Sequence, residues 1–293
     1  MNAKLLIITP TLGNSPFLDE SAASVRTLEL NAQRLFVCPQ RRVEMLKERF
    51  PECVVTADDG PAGGLYGAIN AGLRAAAALG LEWDWFTYIN DDDLLAPGFS
   101  AMVERHCARG DLNSVAYGDI TNIDTGGKPL GRMTIERDAR YFAPLLQQGI
   151  SPTGQQGMLF GATVVKALRE YDLSYKLCGD LDFWVRAHAR GSLFCYYPIE
   201  VGRFRIQTGQ LSGDVMLTRR ELKVIVDRHF PAPAGRFSKR YSKMRYRIYN
   251  LPRYLERWRS LGRLTTSESL LQSGPGPISD RGLRTPAKQS DHS

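Results

Sequence analysis

The stretch Trp85-Phe86-Thr87-Tyr88-Ile89-Asn90-Asp91-Asp92-Asp93 sets a short apolar run directly before three adjacent aspartates. Such a run, bounded by polar residues, reads as a buried strand that stops where the acids begin. Adjacent carboxylates repel, and a divalent cation at the mouth of a sheet relieves that repulsion. A short cluster of oxygen ligands suits Mg²⁺ or Mn²⁺ holding a diphosphate, because the ion keeps open positions for phosphate oxygens. A polar turn is the competing reading: Asp is common in turns, and Pro97 suits the first position of a following helix.

Working outward, residues 4–9 form a first strand that ends in the breaker-rich loop Pro10-Thr11-Leu12-Gly13-Asn14. A helix over residues 21–31, a strand at 34–38, a helix at 41–49 and a strand at 53–56 follow. The loop Asp58-Asp59-Gly60-Pro61-Ala62-Gly63-Gly64 leads into a helix at 65–79, stopped by Gly80. Strand and helix in alternation predict an α/β domain with a mainly parallel central sheet flanked by helices, whose ligands bind beyond the carboxyl ends of the strands. Pro10, Asp59 and Asp91 all fall at that edge, which favours the metal–diphosphate reading over the turn. From residue 114 onward, short β-like stretches at 115–117, 158–160 and 193–197 and a helix at 181–189 complete the same domain, residues 1–235.

Glycines 60, 63, 64 and 67 let backbone N–H groups approach an anion at a helix start, but the spacing is neither a phosphate loop nor a dinucleotide fingerprint. A second acidic segment reads Gly179-Asp180-Leu181-Asp182-Phe183-Trp184-Val185-Arg186. Two residues apart on a helix, Asp180 and Asp182 point in different directions. Asp180 suits either a helix N-cap or a single general base facing a cleft. His106, His188, His229 and His292 show no metal-ligand spacing, and no Ser or Cys lies in a nucleophile setting.

Taken together, Asp59-Gly60, Tyr66-Gly67-Ala68-Ile69-Asn70-Ala71-Gly72 and Tyr88-Ile89-Asn90-Asp91-Asp92-Asp93 resemble the motifs of family 2 glycosyltransferases of the GT-A fold. Gln155-Gln156-Gly157, the Asp180 segment and Gly209-Gln210-Leu211-Ser212-Gly213 follow in the family's order, so the likeness covers residues 5–213. The resemblance implies an inverting, non-processive transfer of one sugar from a nucleotide-diphosphate donor to an acceptor hydroxyl. Asp92, with Asp93, would hold Mn²⁺ or Mg²⁺. Pro10, Thr11, Asp59, Asn70 and Asp91 would border the donor, Asp180 would take the acceptor proton, and Gln156, Asp182 and Trp184 would shape the acceptor site. The chain departs from the family at Val37-Cys38-Pro39-Gln40, where acids usually hold the base, at Tyr66 and Ile69, and at Gly179, which replaces an acid. It has no Gln-x-x-Arg-Trp motif, which fits addition of a single sugar.

The 293 residues are 43% hydrophobic and 24% charged, an ordinary composition for a folded protein, with a net charge of +7. Ten of the 38 Lys and Arg lie in residues 236–263 against the single acid Glu256, so the remainder is slightly acidic. In that segment Phe237, Tyr241, Met244, Ile248, Leu251, Leu255 and Trp258 recur at helical spacing, with Pro252 positioned to divide the helix. This basic amphipathic extension either packs its stripe on the domain or meets an anionic membrane surface, where a saccharide or lipid-linked acceptor would lie. A nucleic-acid partner is not expected, since no basic face extends the segment. Residues 264–293, rich in Ser, Gly and Pro, are expected to be disordered. Five scattered cysteines, the absence of a signal-peptide core and of any apolar run near ~18 residues point to a cytoplasmic protein, peripheral on the inner membrane face if the extension binds lipid. Two rivals stand: a nucleotidyltransferase, which would carry basic residues in the Pro10 loop, and a non-catalytic sugar-nucleotide or membrane-binding homologue.

Overall fold

Strands buried on both faces carry near-continuous apolar runs, and the first half of the chain supplies four. In the computed structural model, which describes residues 4–28, 30–60, 63–207 and 209–262, β1 (Leu5–Pro10), β2 (Ala32–Cys38), β3 (Val54–Ala57) and β4 (Trp85–Tyr88) lie parallel in the order β3-β2-β1-β4. The tail expected to be disordered lies outside the described residues. Alternation decides the faces: Leu6, Ile8, Phe86 and Tyr88 enter one hydrophobic layer, Leu5, Ile7 and Trp85 the other. Helices α1 (Leu18–Arg26), α2 (Val43–Arg49) and α3 (Gly64–Ala78) make the crossovers. Gly72 lets α3 lie close on the sheet, since a Cβ there would stand 2.8 Å from Ile8 Cδ1 and 2.9 Å from Val37 Cγ2.

The second half is mixed rather than parallel. Beyond β4 the sheet continues through β8 (Leu159–Gly161), β6 (Ser114–Ile123) and β9 (Leu193–Arg205) to the two-residue β5 (Leu94–Leu95), with β7 (Pro129–Arg132) also pairing β6. The β4–β8, β8–β6, β6–β7 and β5–β9 pairs are antiparallel, whereas β6 and β9 run parallel. Both β6 and β9 extend well past the short stretches read from hydropathy, because polar residues such as Asp119 and Asn122 are buried along them. Helices α4 (Gly98–Cys107), α5 (Phe142–Leu146), α6 (Ala162–Leu168), α7 (Gly179–Ala189) and α8 (Val215–His229) cover the faces.

The basic extension forms α9 (Arg236–Tyr249) and α10 (Leu251–Leu261), divided at Asn250 just before Pro252. It packs on the domain through the face opposite the apolar stripe. Tyr246, Ser242, Asn250, Arg253 and Arg257 are buried, and all seven stripe residues are exposed. Electrostatics fixes this orientation. Arg253 Nη2 donates to Asp119 Oδ1 at 2.5 Å and Nη1 to Asn250 Oδ1 at 2.6 Å. Asn250 also exchanges hydrogen bonds of 2.9 and 3.0 Å with the backbone of Ile135. Arg132 clamps Asp119 and Glu256, and Arg245 pairs with buried Glu136. Gly131, at φ +115°, makes room for α10, with Arg257 Cγ 2.6 Å from where a Cβ would stand. Among the described residues no helix is long and apolar enough to cross a membrane.

Removing one member of a buried ion pair leaves the other uncompensated. Urea denaturation of Arg253→Met is therefore expected to show a loss of roughly 3–5 kcal/mol. The exposed Arg259→Met should change stability by less than about 0.5 kcal/mol. Similar small losses in both would refute the network as the anchor of the extension.

Candidate active site

The carboxyl ends of β1 and β4 bring Thr11 and the aspartates together. Pro10 ends β1 because it has no N–H to extend the ladder, and the Thr11 N–H still reaches Val37 O at 2.9 Å. Thr11 Oγ1 donates to Asp91 Oδ2 at 2.5 Å. Ser15 and Ser21 on the other side of that loop donate to the carbonyls of Asp91 and Asn90. The three acids, adjacent in sequence, then part company.

Asp93 turns inward and is fully buried. Its Oδ1 accepts from the Arg205 backbone N–H at 2.9 Å, and its Oδ2 from Gln156 Nε2 at 3.0 Å and Asn90 Nδ2 at 3.3 Å. Burial pushes its carboxyl up to about 8, with the neighbouring Asp92 charge adding to the shift and the donors opposing it. With both oxygens taken up inside the protein, Asp93 is a structural acid and not the metal ligand expected from the sequence. Asp91 and Asp92 stay partly exposed. Desolvation is the main cause that raises both carboxyls, Asp91 to about 6. Asp92 Oδ2 accepts from Gln207 Nε2 at 2.8 Å, and its carbonyl from Arg205 Nε at 2.8 Å.

Among the described residues no group of three or more His, Cys, Asp or Glu is arranged to enclose a metal. The donor set fits a different kind of site. Mg²⁺ and Mn²⁺ are commonly held by one or two carboxylates, with substrate phosphates and water completing the shell. Asp92, with Asp91 beside it, presents that set.

Across the strand end lies Asp180, in the first turn of α7. It is not the N-cap, a position held by Cys178 without a side-chain bond. Its Oδ1 accepts from the Leu181 N–H at 2.7 Å and, at 3.4 Å, from the hydroxyl of Tyr66, which donates mainly to Leu177 O at 2.7 Å. Burial pushes its carboxyl up to about 6, against these hydrogen bonds. Tyr88 on β4 lies between the acidic groups. Burial first, then the charges of Asp180 and, more weakly, Asp93, holds its hydroxyl well above the ordinary range.

Four other expected site residues are buried in the scaffold. Asn70 is buried and exchanges bonds of 2.9 and 2.8 Å with the Tyr171 backbone, so it braces Tyr171 instead of meeting a donor. Asp182 is buried against Arg186 at 2.7 Å and His229 at 3.3 Å. Trp184 packs edge-on to Phe142 in the core, with ring centroids 5.5 Å apart, and offers no face to a sugar. Gln156 is buried as the partner of Asp93. Asp59, by contrast, stays exposed at the edge of the sheet's carboxyl end, where Arg74 pairs with it and with Glu170.

Four residues emerge that sequence reasoning missed. Arg205 and Gln207 hold Asp92, Tyr66 touches Asp180, and Glu221 accepts from the N–H groups of Lys176, Leu177 and Cys178 at 2.8–2.9 Å, fixing the loop that delivers Asp180. Tyr66 carried a signal, as the departure from the family's loop motif. Glu221 carried none.

Solved glycosyltransferases share this architecture. The Staphylococcus aureus TarS fragment 1–349 in complex with UDP-GlcNAc matches with a TM-score of 0.57 at 13% identity, over 88% of this chain and 80% of that one. Against a longer TarS structure the chain spans 43% of the protein it matches. The Pyrobaculum calidifontis mannosyltransferase PcManGT, in complex with GDP-Man and Mn²⁺, gives 0.52 at 14% identity, over 88% and 74% of the two chains. The chain has the GT-A fold. No protein-family model matches it, and a sequence search of curated proteins gives no match. Tyr88, the last residue of β4, feels the charges of both Asp180 and Asp93, so Asp180 lies beside the strand end that carries the Asp91–Asp92 edge.

The separation of roles within the triplet is measurable. Asp93→Ala strands three buried donors and is expected to cost roughly 2–5 kcal/mol in denaturation experiments. Asp92→Ala, at a partly exposed position, should cost less than about 1 kcal/mol. The reverse order would show that Asp92, not Asp93, is the structural acid.

Proposed function

We propose that this chain is a glycosyltransferase that moves one sugar from a nucleotide-diphosphate donor to an acceptor hydroxyl with inversion. The observation that carries the reading is the pair of acidic groups, Asp91–Asp92 and Asp180, on either side of the β4 end in a GT-A fold. The resemblance of the motifs to family 2, and similarity to proteins crystallised with UDP-GlcNAc or with GDP-Man and Mn²⁺, support it.

In this reading Thr11, Asp59 and Asp91 border the nucleoside end of the donor, with Pro10 shaping the loop. Asp92, with Asp91 beside it, would hold a divalent cation, Mn²⁺ or Mg²⁺, which when bound would neutralise charge on the departing diphosphate. The acceptor oxygen attacks the anomeric carbon from the face opposite the diphosphate. The bond from that carbon to the diphosphate oxygen breaks, and the acceptor proton passes to Asp180. The products are the glycoside and a nucleoside diphosphate. Tyr66 and the Leu181 N–H hold the Asp180 carboxylate in place, and its raised pKa suits a base that must take and release a proton near neutrality. A saccharide or lipid-linked acceptor in surface polysaccharide or glycolipid assembly fits this chemistry. The Pro10–Phe17 loop has no Lys or Arg, which disfavours a nucleotidyltransferase.

Calorimetric titration of UDP, GDP and dTDP, with and without Mn²⁺, tests the donor site. One nucleotide is expected to bind tightly and only with metal. Asp92→Ala should abolish that binding, whereas Asp180→Asn should leave it intact and slow transfer by about 10²–10⁴. Equal loss of binding in both variants would overturn the division of roles.

The pH profile is a separate check. Because Asp180 must be deprotonated to act and its carboxyl titrates near 6, kcat/KM should hold above that value and fall about tenfold per pH unit below it. A profile flat down to pH ~4.5 would remove Asp180 as the base.

A further inference from the structure

The extension buries its arginines and shows its hydrophobic side chains to solvent. Arg253 and Arg257 are 2% and 0% exposed, while the seven stripe residues range from 41% for Tyr241 to 83% for Phe237. A contiguous apolar face left open along two helices marks an interaction surface. At 1.5 Å per residue, α9 and α10 are about 21 and 16 Å long, enough to lie along a bilayer surface but not to cross it.

The charges around the stripe identify the partner. Arg236, Arg240, Arg247 and Arg259 are exposed, and Lys239 and Lys243 half-buried. Glu256, the one acid of the two helices, is turned back onto Arg132. The outward rim is therefore cationic throughout. A second copy of the chain meeting this face about a two-fold axis would oppose like-charged rims, whereas an anionic bilayer satisfies both the stripe and the rim.

We infer that the α9–α10 face docks this protein on a membrane bearing anionic phospholipid. The inward side of α10 adjoins the candidate site. Leu261 of α10 packs against Leu130 and Ile206, and Ile206 lies between Arg205 and Gln207, the two residues that hold Asp92. Docking thus holds the Asp92 edge about one helix away from the lipid surface and, given the glycosyltransferase reading, favours a lipid-linked acceptor.

Co-sedimentation of the full chain with phosphatidylcholine vesicles, with and without phosphatidylglycerol, tests the inference. Binding is expected to the anionic vesicles and to weaken with salt. Phe237→Ser/Ile248→Ser/Trp258→Ser should lower the affinity by more than about tenfold. Arg240→Gln, Arg247→Gln and Arg259→Gln should each lower it about fivefold. All these positions are exposed, and nucleotide titration without vesicles reports whether each variant retains its fold and donor site. Equal binding to neutral vesicles, or binding to neither, would overturn the proposal. So would a dimer in sedimentation velocity that the apolar triple variant dissolves. Vesicle binding together with failure to bind any nucleotide would instead leave the docking face standing and remove the glycosyltransferase reading.

Discussion

Arg205 is the point on which the acidic edge depends. Its guanidinium is wholly buried, and a buried charge persists only where it is paired and hydrogen-bonded. Glu20 of α1 takes one arm at 2.7 Å, the carbonyls of Asp124 and Thr125 take another at 3.2 Å, and Nε takes the Asp92 carbonyl. The ring of Phe17 lies 4.3 Å from its centre. The same residue's N–H holds Asp93. One side chain and one backbone amide thus tie the loop after β4 to β9, to α1 and to the turn after β6. The three aspartates have no freedom to collapse together or fan apart, so Asp91 and Asp92 keep their outward position without waiting for a ligand.

That anchor also explains what could and could not be read from the sequence. The parallel half was legible because each of its strands is a local apolar run and each helix a local period. So was the place of the acidic edge, where a strand stops. The separate fates of Asp91, Asp92 and Asp93 were not, since they depend on distant partners: Thr11 in the loop after β1 for Asp91, and Arg205 and Gln207, more than a hundred residues on, for Asp93 and Asp92. Asn70, Asp182 and Trp184 sit in motif-like stretches, yet Tyr171, His229 and Phe142 claim them for the scaffold. Local chemistry names residue types; long-range packing decides which of them remain open.

The extension shows the same limit in sharper form. A stripe of apolar residues on a helix ordinarily faces the core. Here the buried side is chosen by Asp119, whose carboxylate accepts from Tyr196, Arg132 and Arg253 at 2.6, 3.0 and 2.5 Å, and by Asn250, which bonds an unpaired stretch of backbone at Ile135. An acid buried beneath a helix needs cations more than it needs leucines, because an unpaired carboxylate in the interior costs more than an apolar face left in water. Helical spacing therefore located both helices and the break at Pro252, and left open which face turns inward.

Two acidic groups beside the end of β4 are held under the same stress in different surroundings. Desolvation raises Asp91 and Asp180 alike to about 6. At the Asp91–Asp92 edge the Asp92 charge adds to the strain on Asp91, and at Asp92 the Arg205 charge and the Gln207 amide offset desolvation only in part. At Asp180 the neighbours are the hydroxyl of Tyr66 and the N–H of Leu181, which favour the anion modestly and leave it able to accept a proton. Folding alone would favour replacing such groups or pairing them fully. Their retention, under-compensated beside the end of β4, is the physical argument on which the proposed division of roles rests, with a cation at one edge and a proton at the other.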